Sequence, residues 1–465
     1  MMKIGTSGFR GIIADEFTKE NVTKIIQCLC NIIDREKAKR EVVVGYDNRF
    51  MSEVFAKWIC EVLAGNNVKA YITNTSVPSP LVSYATKYLK NDFGIMVTAS
   101  HNPYFYNGLK LYEKEGKEVD NRLEGILNSE PITITNVNII SYEQGKENGL
   151  IEEVSLTKPY IDNIISLIKF KEKFDTKVIF NVMNGSSLVA VEQLKKQLKL
   201  KNLDIVNTHR DALFNLDGPI PNEDKLQDYR KYALENKYDF AFATDGDGDR
   251  MAVFDEKGKF YNGNEINTLL YYFMIKEKGL SGPFIKNYSF STIIDKLAKK
   301  LGQNVVETKI GFKYISEALI ENNALIGAEN SGGEIKNHVY VKDGLVIFAL
   351  LLEIVEYYKL PLSQIFNNLK KEAGYTMEYV ENSFAVDNKQ KIIDYLTTKQ
   401  PKFSKKVVEK GDLDGYKFKF EDGTWVHIRF SGNENLIRVV VEQNSKKELE
   451  NMLAEAKQII ADIQK

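Results

Sequence analysis

Short apolar runs bounded by Gly, Asn, Asp and Pro alternate with helical periodicity along most of this chain. "EVVVGYD" (41–47), "VKAYITN" (68–74) and "DFGIMVTA" (92–99) read as buried strands, since β-branched and apolar residues follow one another with little polar interruption. Interleaved with them, "TKIIQCLCNIIDREK" and "EVFAKWICEVLAG" place apolar residues at helical spacing. The pattern restarts at "KVIFNVMNG" (177–185), "LDIVNT" (203–208) and "YDFAFATD" (238–245). A third round has "PFIKNYS", "NVVETK" and "ALIGAE" (324–329), then the apolar helix "GLVIFALLLEIVEYY". Such βαβ alternation predicts α/β/α layers with helices on both faces of each sheet. Toward the C-terminus the rhythm changes. "YKFKFEDGTWVHIRFSG" and "LIRVVVEQN" alternate like antiparallel strands, and "KKELENMLAEAKQIIADIQK" closes the chain as an amphipathic helix. The expected division is three mixed-sheet α/β domains, 1–150, 151–255 and 256–370, and an α+β domain, 371–465.

Composition narrows the function classes. The 465 residues are 43% apolar and 27% charged, enough for several buried cores. Lys and Arg number 63 against 64 Asp and Glu, a net charge of −1, which lacks the electrostatic footprint of a nucleic-acid binder. No apolar run approaches the roughly 20 residues of a membrane span, and "MMKIGTSGFRGII" does not read as a signal peptide. Cys28 and Cys30 sit two apart in a helical pattern and cannot face each other, so with Cys60 they read as core residues in a reducing, cytoplasmic setting.

The sharpest signal is "TDGDGDR" (244–250), where Asp245, Asp247 and Asp249 stand at i, i+2 and i+4 just past a strand. In extended backbone that spacing points all three carboxylates to one side, and Gly246 and Gly248 let the chain curl. Three oxygen donors with no thiol or imidazole in the motif select a hard divalent cation, Mg²⁺ first. An EF-hand would need Gly where Arg250 stands, and helices in place of the flanking strands. A plain polar turn has no reason to keep three repelling carboxylates together. A cation held by three carboxylates leaves a net negative site unless Arg250 offsets it, and it keeps open positions for a phosphate oxygen.

Ser100 follows "DFGIMV" in "TASHNP", which is not a nucleophile elbow. His101, adjacent in an extended chain, should point away from the Ser100 hydroxyl, so serine–histidine acyl transfer fits badly. Phosphoryl transfer needs positioning and charge neutralisation more than a strong base. A serine that carries a phosphoryl group beside the Asp245/Asp247/Asp249 cation accounts for both motifs.

"GTSGFRG", "TASHNPYFYNGLK", "TDGDGDR", "AENSGG" and "RFSGNENLIR", in that order along the chain, resemble the α-D-phosphohexomutase family. The resemblance implies four domains around a central cleft, a phosphoserine at Ser100, and Mg²⁺ held by Ser100, Asp245, Asp247 and Asp249. It implies transfer of phosphate between C1 and C6 of a hexose, with hexose 1,6-bisphosphate as intermediate and activator. Arg429, Ser431, Gly432, Asn433 and Arg438 fall on the phosphate-binding loop, where Asn433 and Asn435 depart from the usual Thr and Pro. Glu329 and Ser331 fall on the sugar-reading loop, and Gly311, Lys313, Arg250, Thr6 and Ser7 join the substrate-binding set. Gly333 and "GFKYI" lean toward glucose, with mannose second. Lys110 and Arg10 match the serine side of the cleft. Arginine is a poor base, so Lys110, its pKa lowered by burial, is the expected proton acceptor, with Arg10 orienting charge and His101 bonding near the phosphoserine. His338 lies near the sugar loop in "NHVYVKDG". Phosphoglucosamine mutase is the alternative within the family, and a Mg²⁺-dependent sugar phosphatase the alternative outside it. The expected partners are small sugar phosphates, with the chain a monomer or weak homodimer.

Overall fold

The computed structural model describes residues 4–5, 8–169, 174–430 and 436–464. Its first sheet has the order Ile4–Gly5, Gly8–Ile12, Tyr106–Glu113, Phe93–Val97, Glu41–Tyr46, Lys69–Thr73, Ile151–Val154, with a short strand Lys117–Glu118 beside Tyr106–Glu113. The strands from Phe93–Val97 to Ile151–Val154 run parallel, as buried apolar strands joined by helices should. The second sheet sets Leu203–Val206, Val178–Asn181 and Phe240–Thr244 parallel, then Met251–Asp255 and Phe260–Tyr261 antiparallel. The third repeats the scheme with Val305–Thr308, Phe284–Asn287 and Ile326–Glu329 parallel and Gly332–Ile335 antiparallel. The fourth is a wholly antiparallel sheet of five strands, Glu378–Ala385, Leu436–Gln443, Trp425–Phe430, Tyr416–Phe420 and Val407–Gly411, covered by the helix Lys446–Gln464. Three mixed α/β sheets and one α+β unit are thus present. The first sheet takes a strand at 151–154 and the second one at 260–261, each a few residues past the expected divisions at 150 and 255. A closing edge strand is short, and its periodicity cannot be told from a loop.

The first helix, Lys19–Glu36, starts where the Thr18 hydroxyl accepts from Asn21 N–H and stops at Lys37, which takes a left-handed φ of 54°. Its Cys28 and Cys30, like Cys60, are free and buried, and burial pushes the Cys28 and Cys30 thiols up to about 12.

The helix Gly344–Tyr358 is buried from Gly344 to Val355, which its all-round apolar sequence requires. Phe348 on it packs against Phe180 and Phe242 of the second sheet, at ring-centroid distances of 4.8 and 5.2 Å. The second and third sheets therefore share one core. The fourth sheet keeps its own, from Val386 to Ile460. Phe348→Ala is expected to cost about 3–5 kcal/mol, since it removes a fully buried ring packed on Phe180 and Phe242. A urea unfolding midpoint within about 0.3 kcal/mol equivalent of wild type would contradict this.

Candidate active site

In each of the first three sheets the last parallel strand turns into an antiparallel partner, and the connecting loop carries one candidate motif. Ser100 lies between Phe93–Val97 and Tyr106–Glu113, the aspartates between Phe240–Thr244 and Met251–Asp255, and Ser331 between Ile326–Glu329 and Gly332–Ile335. These are the C-terminal ends of parallel strands, where open α/β sheets place their ligands.

Ligand oxygens of Asp245, Asp247 and Asp249 lie within 4.8 Å of one another, all three residues buried. The expected extended backbone is not what brings them together. Residues 246 to 249 form a turn, with Gly248 at φ 77°, and the curl converges the carboxylates. A Cβ on Gly246 would meet Pro219 Cγ and the Ser100 carbonyl oxygen, each at 2.8 Å, so the glycine lets the aspartate and serine loops close on each other. Asp245 Oδ1 accepts from the N–H groups of Asp249 and Arg250 at 3.0 and 3.1 Å. Asp247 sits at the start of helix Ser79–Tyr88, where Ser79 N–H donates to its carbonyl at 2.8 Å and Ser79 Oγ to its Oδ2 at 2.5 Å. A helix N-terminus favours such an anion.

Burial and repulsion from Asp247 and Asp249 push the Asp245 carboxyl up to about 8. Burial opposes ionisation of Asp247 and Asp249 too, but there Lys110 wins and both are held below the usual carboxylate range. Asp247 Oδ1 and Asp249 Oδ1 are buried without any hydrogen-bond partner among the described residues. Buried carboxylate oxygens left unpaired in so tight a cluster are a costly arrangement that a hard divalent cation would satisfy.

Ser100 Oγ donates to Asp245 Oδ2 at 2.7 Å and lies 3.2 Å from His101 Nδ1. The expectation that His101 turns away from the hydroxyl is overturned. Ser100 is not extended but left-handed, at φ 52°, which breaks the side-to-side alternation. For a residue other than glycine that conformation costs about 1–3 kcal/mol and needs a surrounding structure to hold it. Burial, then Arg250 and Arg10, drive the His101 pKa well below its ordinary value, so the ring is neutral. Arg10 is placed beside it, with Nη1 donating to Asn102 Oδ1 at 2.7 Å.

Lys110 does not have the depressed pKa expected of it. Its ammonium lies 2.6 Å from Asp247 Oδ2 and 2.5 Å from Asp249 Oδ2. Burial does pull the group down, but the two carboxylates together outweigh it and raise it well above the ordinary lysine value. Lys110 is therefore a cation paired with both carboxylates in this arrangement, the opposite of the lowered pKa expected of it.

On the third loop, Glu329 Oε1 accepts from Gly311 N–H at 3.2 Å and from Asn287 Nδ2 at 3.4 Å. Glu329 and Ser331 do share one neighbourhood, since Lys342 Nζ reaches Glu329 Oε2 at 3.8 Å and Ser331 Oγ at 3.4 Å. Lys313 is engaged elsewhere, in an ion pair with Glu124 at 2.7 Å and a hydrogen bond to Asn121 that tie the third sheet's helix to the first domain. On the fourth sheet, Arg429 and Arg438 are directly opposed on neighbouring strands and so share a face. Arg429 pairs with Asp414 at 3.1 Å and Arg438 with Glu381 at 3.7 Å. Thr6, Ser7, Ser431, Gly432 and Asn433 lie outside the described residues.

Several site residues carried no sequence signal. Lys342 is one; only its nearness to His338 pointed to that stretch. His338 itself is a buried hub, 2.6 Å from Asp343 and in contact with Asn163, while Tyr160 OH donates to the same Asp343. Ser79 looks like an ordinary helix-start serine. Glu118 lies across from Tyr112 in the ladder beside Lys110; burial pushes its carboxyl up to about 7, and its Oε2 has no hydrogen-bond partner among the described residues.

Four family models match the chain. Phosphoglucomutase/phosphomannomutase α/β/α domains I, II and III match residues 1–130, 158–258 and 262–372, and the C-terminal domain of the same family matches 383–459. The chain is 31% identical over 460 residues to a phosphoglucomutase/phosphomannomutase of Thermococcus kodakarensis, covering 97% of this chain and 96% of that one. It is 28% identical over 467 residues to a phosphoglucosamine/phosphogalactosamine mutase of Sulfurisphaera tokodaii, covering 98% of each. Among solved structures, a Thermus thermophilus protein assigned as a phosphomannomutase superposes with a TM-score of 0.87 at 26% identity, covering 99% of each chain. The chain belongs to the phosphoglucomutase/phosphomannomutase family, the α-D-phosphohexomutases. It is an intramolecular phosphotransferase, an isomerase of that type.

Proposed function

We propose that this enzyme interconverts a hexose 1-phosphate and the corresponding 6-phosphate, glucose ahead of mannose, with Ser100 as the phosphoryl carrier and hexose 1,6-bisphosphate as intermediate and activator. The observation that carries the reading is Ser100 Oγ, 2.7 Å from Asp245 in a cluster with two orphaned carboxylate oxygens. Asp245, Asp247, Asp249 and Ser100 would hold Mg²⁺, which when bound supplies neutralising charge for the transferring phosphoryl group. In transfer, the bond between Oγ and phosphorus breaks as a bond from a sugar hydroxyl forms. The proton lost by that hydroxyl is balanced by the one Oγ takes up. His101, a neutral imidazole with Nδ1 3.2 Å from Oγ, hydrogen-bonds on the serine side and orients that oxygen. Lys110 and Arg10 supply fixed positive charge and orientation there.

The second phosphate needs an anchor that lets the sugar bind in two orientations. Arg429 and Arg438 are directly opposed across a strand pair and put two guanidinium forks on one face, which supports them as that anchor, with Ser431, Gly432 and Asn433 in the same set. Glu329 and Ser331 read the sugar hydroxyls, with Lys342 beside them, and Arg250, Gly311, Thr6 and Ser7 complete the pocket. For Lys313 the pairing with Glu124 supports a tie between domains more than a ligand contact.

Gly333 offers no side chain to a sugar, and a Cβ there would stand 2.2 Å from Asn267 Oδ1; the bare backbone supports the neutral-sugar preference. The test compares glucose, mannose and glucosamine 1-phosphates under identical Mg²⁺, with release of inorganic phosphate followed in parallel. Glucose 1-phosphate is expected to give the highest kcat/KM, by about 10-fold or more. A higher value for glucosamine 1-phosphate would overturn the sugar assignment, and phosphate release at the turnover rate would make the protein a phosphatase.

A further inference from the structure

The turn Asp47–Asn48–Arg49, at the end of strand Glu41–Tyr46, is fully or nearly buried although it is made of three strongly polar residues. No sequence motif marks it. Arg49 Nη1 donates to the carbonyls of Pro103 and Tyr106 at 2.9 and 3.1 Å, and Nη2 to those of Ser100 and Asn102 at 2.6 and 2.7 Å. One guanidinium therefore gathers four carbonyls of the serine loop, and the Phe214 ring covers its face with a 5.1 Å separation. Carbonyl oxygens converging on one point repel each other without a cation among them, and only a planar fork of five donors can serve four at once.

Asp47 aims that fork. Its Oδ2 lies 3.3 Å from Arg49 Nε, while Oδ1 accepts from Arg49 N–H and Ser52 Oγ at 3.0 and 2.8 Å. Asp47 Oδ2 also accepts from Thr98 Oγ1 at 2.6 Å, and Thr98 Oγ1 in turn accepts from Ser100 N–H at 2.8 Å. Both backbone polar groups of Ser100 are thus tied, directly or through one hydroxyl, to the Asp47–Arg49 pair. The third member faces the metal-site side. Asn48 Nδ2 donates to the carbonyls of Asn184 and Gly185 at 2.8 and 2.9 Å, and Ser186 N–H beside them donates to the carbonyl of Gly246 at 2.9 Å. A single turn therefore grips the serine loop with one side chain and, with the next, the segment that holds the aspartate loop.

We propose that Arg49, oriented by Asp47, is the positioning residue that holds Ser100 in its left-handed pose with Oγ on the aspartate cluster. The inference rests on Ser100 being the phosphoryl carrier. Lysine at 49 keeps the charge but offers one nitrogen in place of the fork, so the loop should relax and Oγ should leave its place. A misplacement of about 1 Å is enough to cost about 100-fold in rate.

The test is Arg49→Lys in the full-length enzyme with Mg²⁺. The kcat per folded molecule is expected to fall about 100-fold, with KM for glucose 1-phosphate within about two-fold of wild type. The rate at which Ser100 takes phosphate from glucose 1,6-bisphosphate, followed by mass spectrometry, should fall in step. Thr98→Val, which cuts the link to Ser100 N–H while keeping the volume, should shift kcat in the same direction, and Thr98→Ser should restore it. Lowered thermal stability with unchanged kcat and phosphorylation rate would mean a purely structural role and overturn the proposal. So would failure of both Arg49→Lys and Thr98→Val to fold, since a clamp on one loop is not required by the rest of the chain. If Ser100→Ala is inactive while Arg49→Lys matches wild type, the clamp fails and the carrier stands; if Ser100→Ala is fully active, the carrier reading itself fails.

Discussion

Ser100→Ala is expected to abolish isomerisation, by roughly 10⁴-fold or more, while the enzyme still binds its sugar phosphate. The side chain is small and buried, and alanine fits the same space without new contacts. Alanine also bears the same backbone strain at φ 52° as serine does, so the loop keeps its shape. The folding cost should stay near 1 kcal/mol, about the worth of the bond to Asp245. What is lost is the oxygen proposed to carry the phosphoryl group, and with it one proposed Mg²⁺ ligand. The proposed phosphate anchor at Arg429 and Arg438 and the carboxylate of Glu329 belong to other sheets and are untouched. Calorimetric titration with glucose 1-phosphate beside a turnover assay separates the two effects. Residual activity above about one per cent, with unaltered binding, would sink the assignment of Ser100 as carrier.

The second large effect is expected at Asp247. Its Oδ2 is engaged by Lys110 and Ser79 while its Oδ1 is orphaned. In Asp247→Asn the amide nitrogen must occupy one of these two places. Turned toward Lys110 and Ser79 it meets two donors with a donor, and turned toward the cluster it presents hydrogens where a cation needs an oxygen. Either way Lys110 loses half of its pairing, and the site loses one of its negative charges. Removing a mere outer partner of a metal ligand costs about 10- to 100-fold in affinity, so loss of a ligand should cost at least that. Titration of Mg²⁺ into the protein without substrate reads this directly, and the Mg²⁺ concentration for half-maximal turnover should rise with it. An unchanged Mg²⁺ titration would remove Asp247 from the proposed ligand set.

The local chemistry is legible wherever a residue type and its spacing are themselves the constraint. Strands at 41–46, 93–97, 240–244 and 326–329 follow from unbroken apolar runs, because a strand buried on both faces tolerates little else. "TDGDGDR" announces a cation site because three acids in seven residues have few other uses. Sequence reasoning fails where a side chain's role depends on what approaches from far along the chain. Burial alone predicts a lowered pKa for Lys110, and it is the two carboxylates, 137 and 139 residues further on (247 − 110 and 249 − 110), that reverse the sign. An extended backbone would turn His101 away from Ser100. The left-handed φ at Ser100 is held by Arg49 and Thr98, which no local propensity forecasts.

Arg49 marks the division clearly. In sequence it is one arginine after a strand, of the kind that ends in solvent. In the folded chain it is enclosed by four carbonyls that lie 51 to 57 positions away. By itself the order of residues determined the layered sheets, the motif-bearing segments and the elements of the chemistry: a hydroxyl, three acids and a set of basic groups. Tertiary structure alone decided which of these groups meet, in what charge state and in what pose. The physical reason is range. Hydrophobic periodicity acts over a few residues and is written along the chain, whereas Coulomb pairing and hydrogen bonding at this site join segments of separate sheets, whose proximity exists only once the cores have formed.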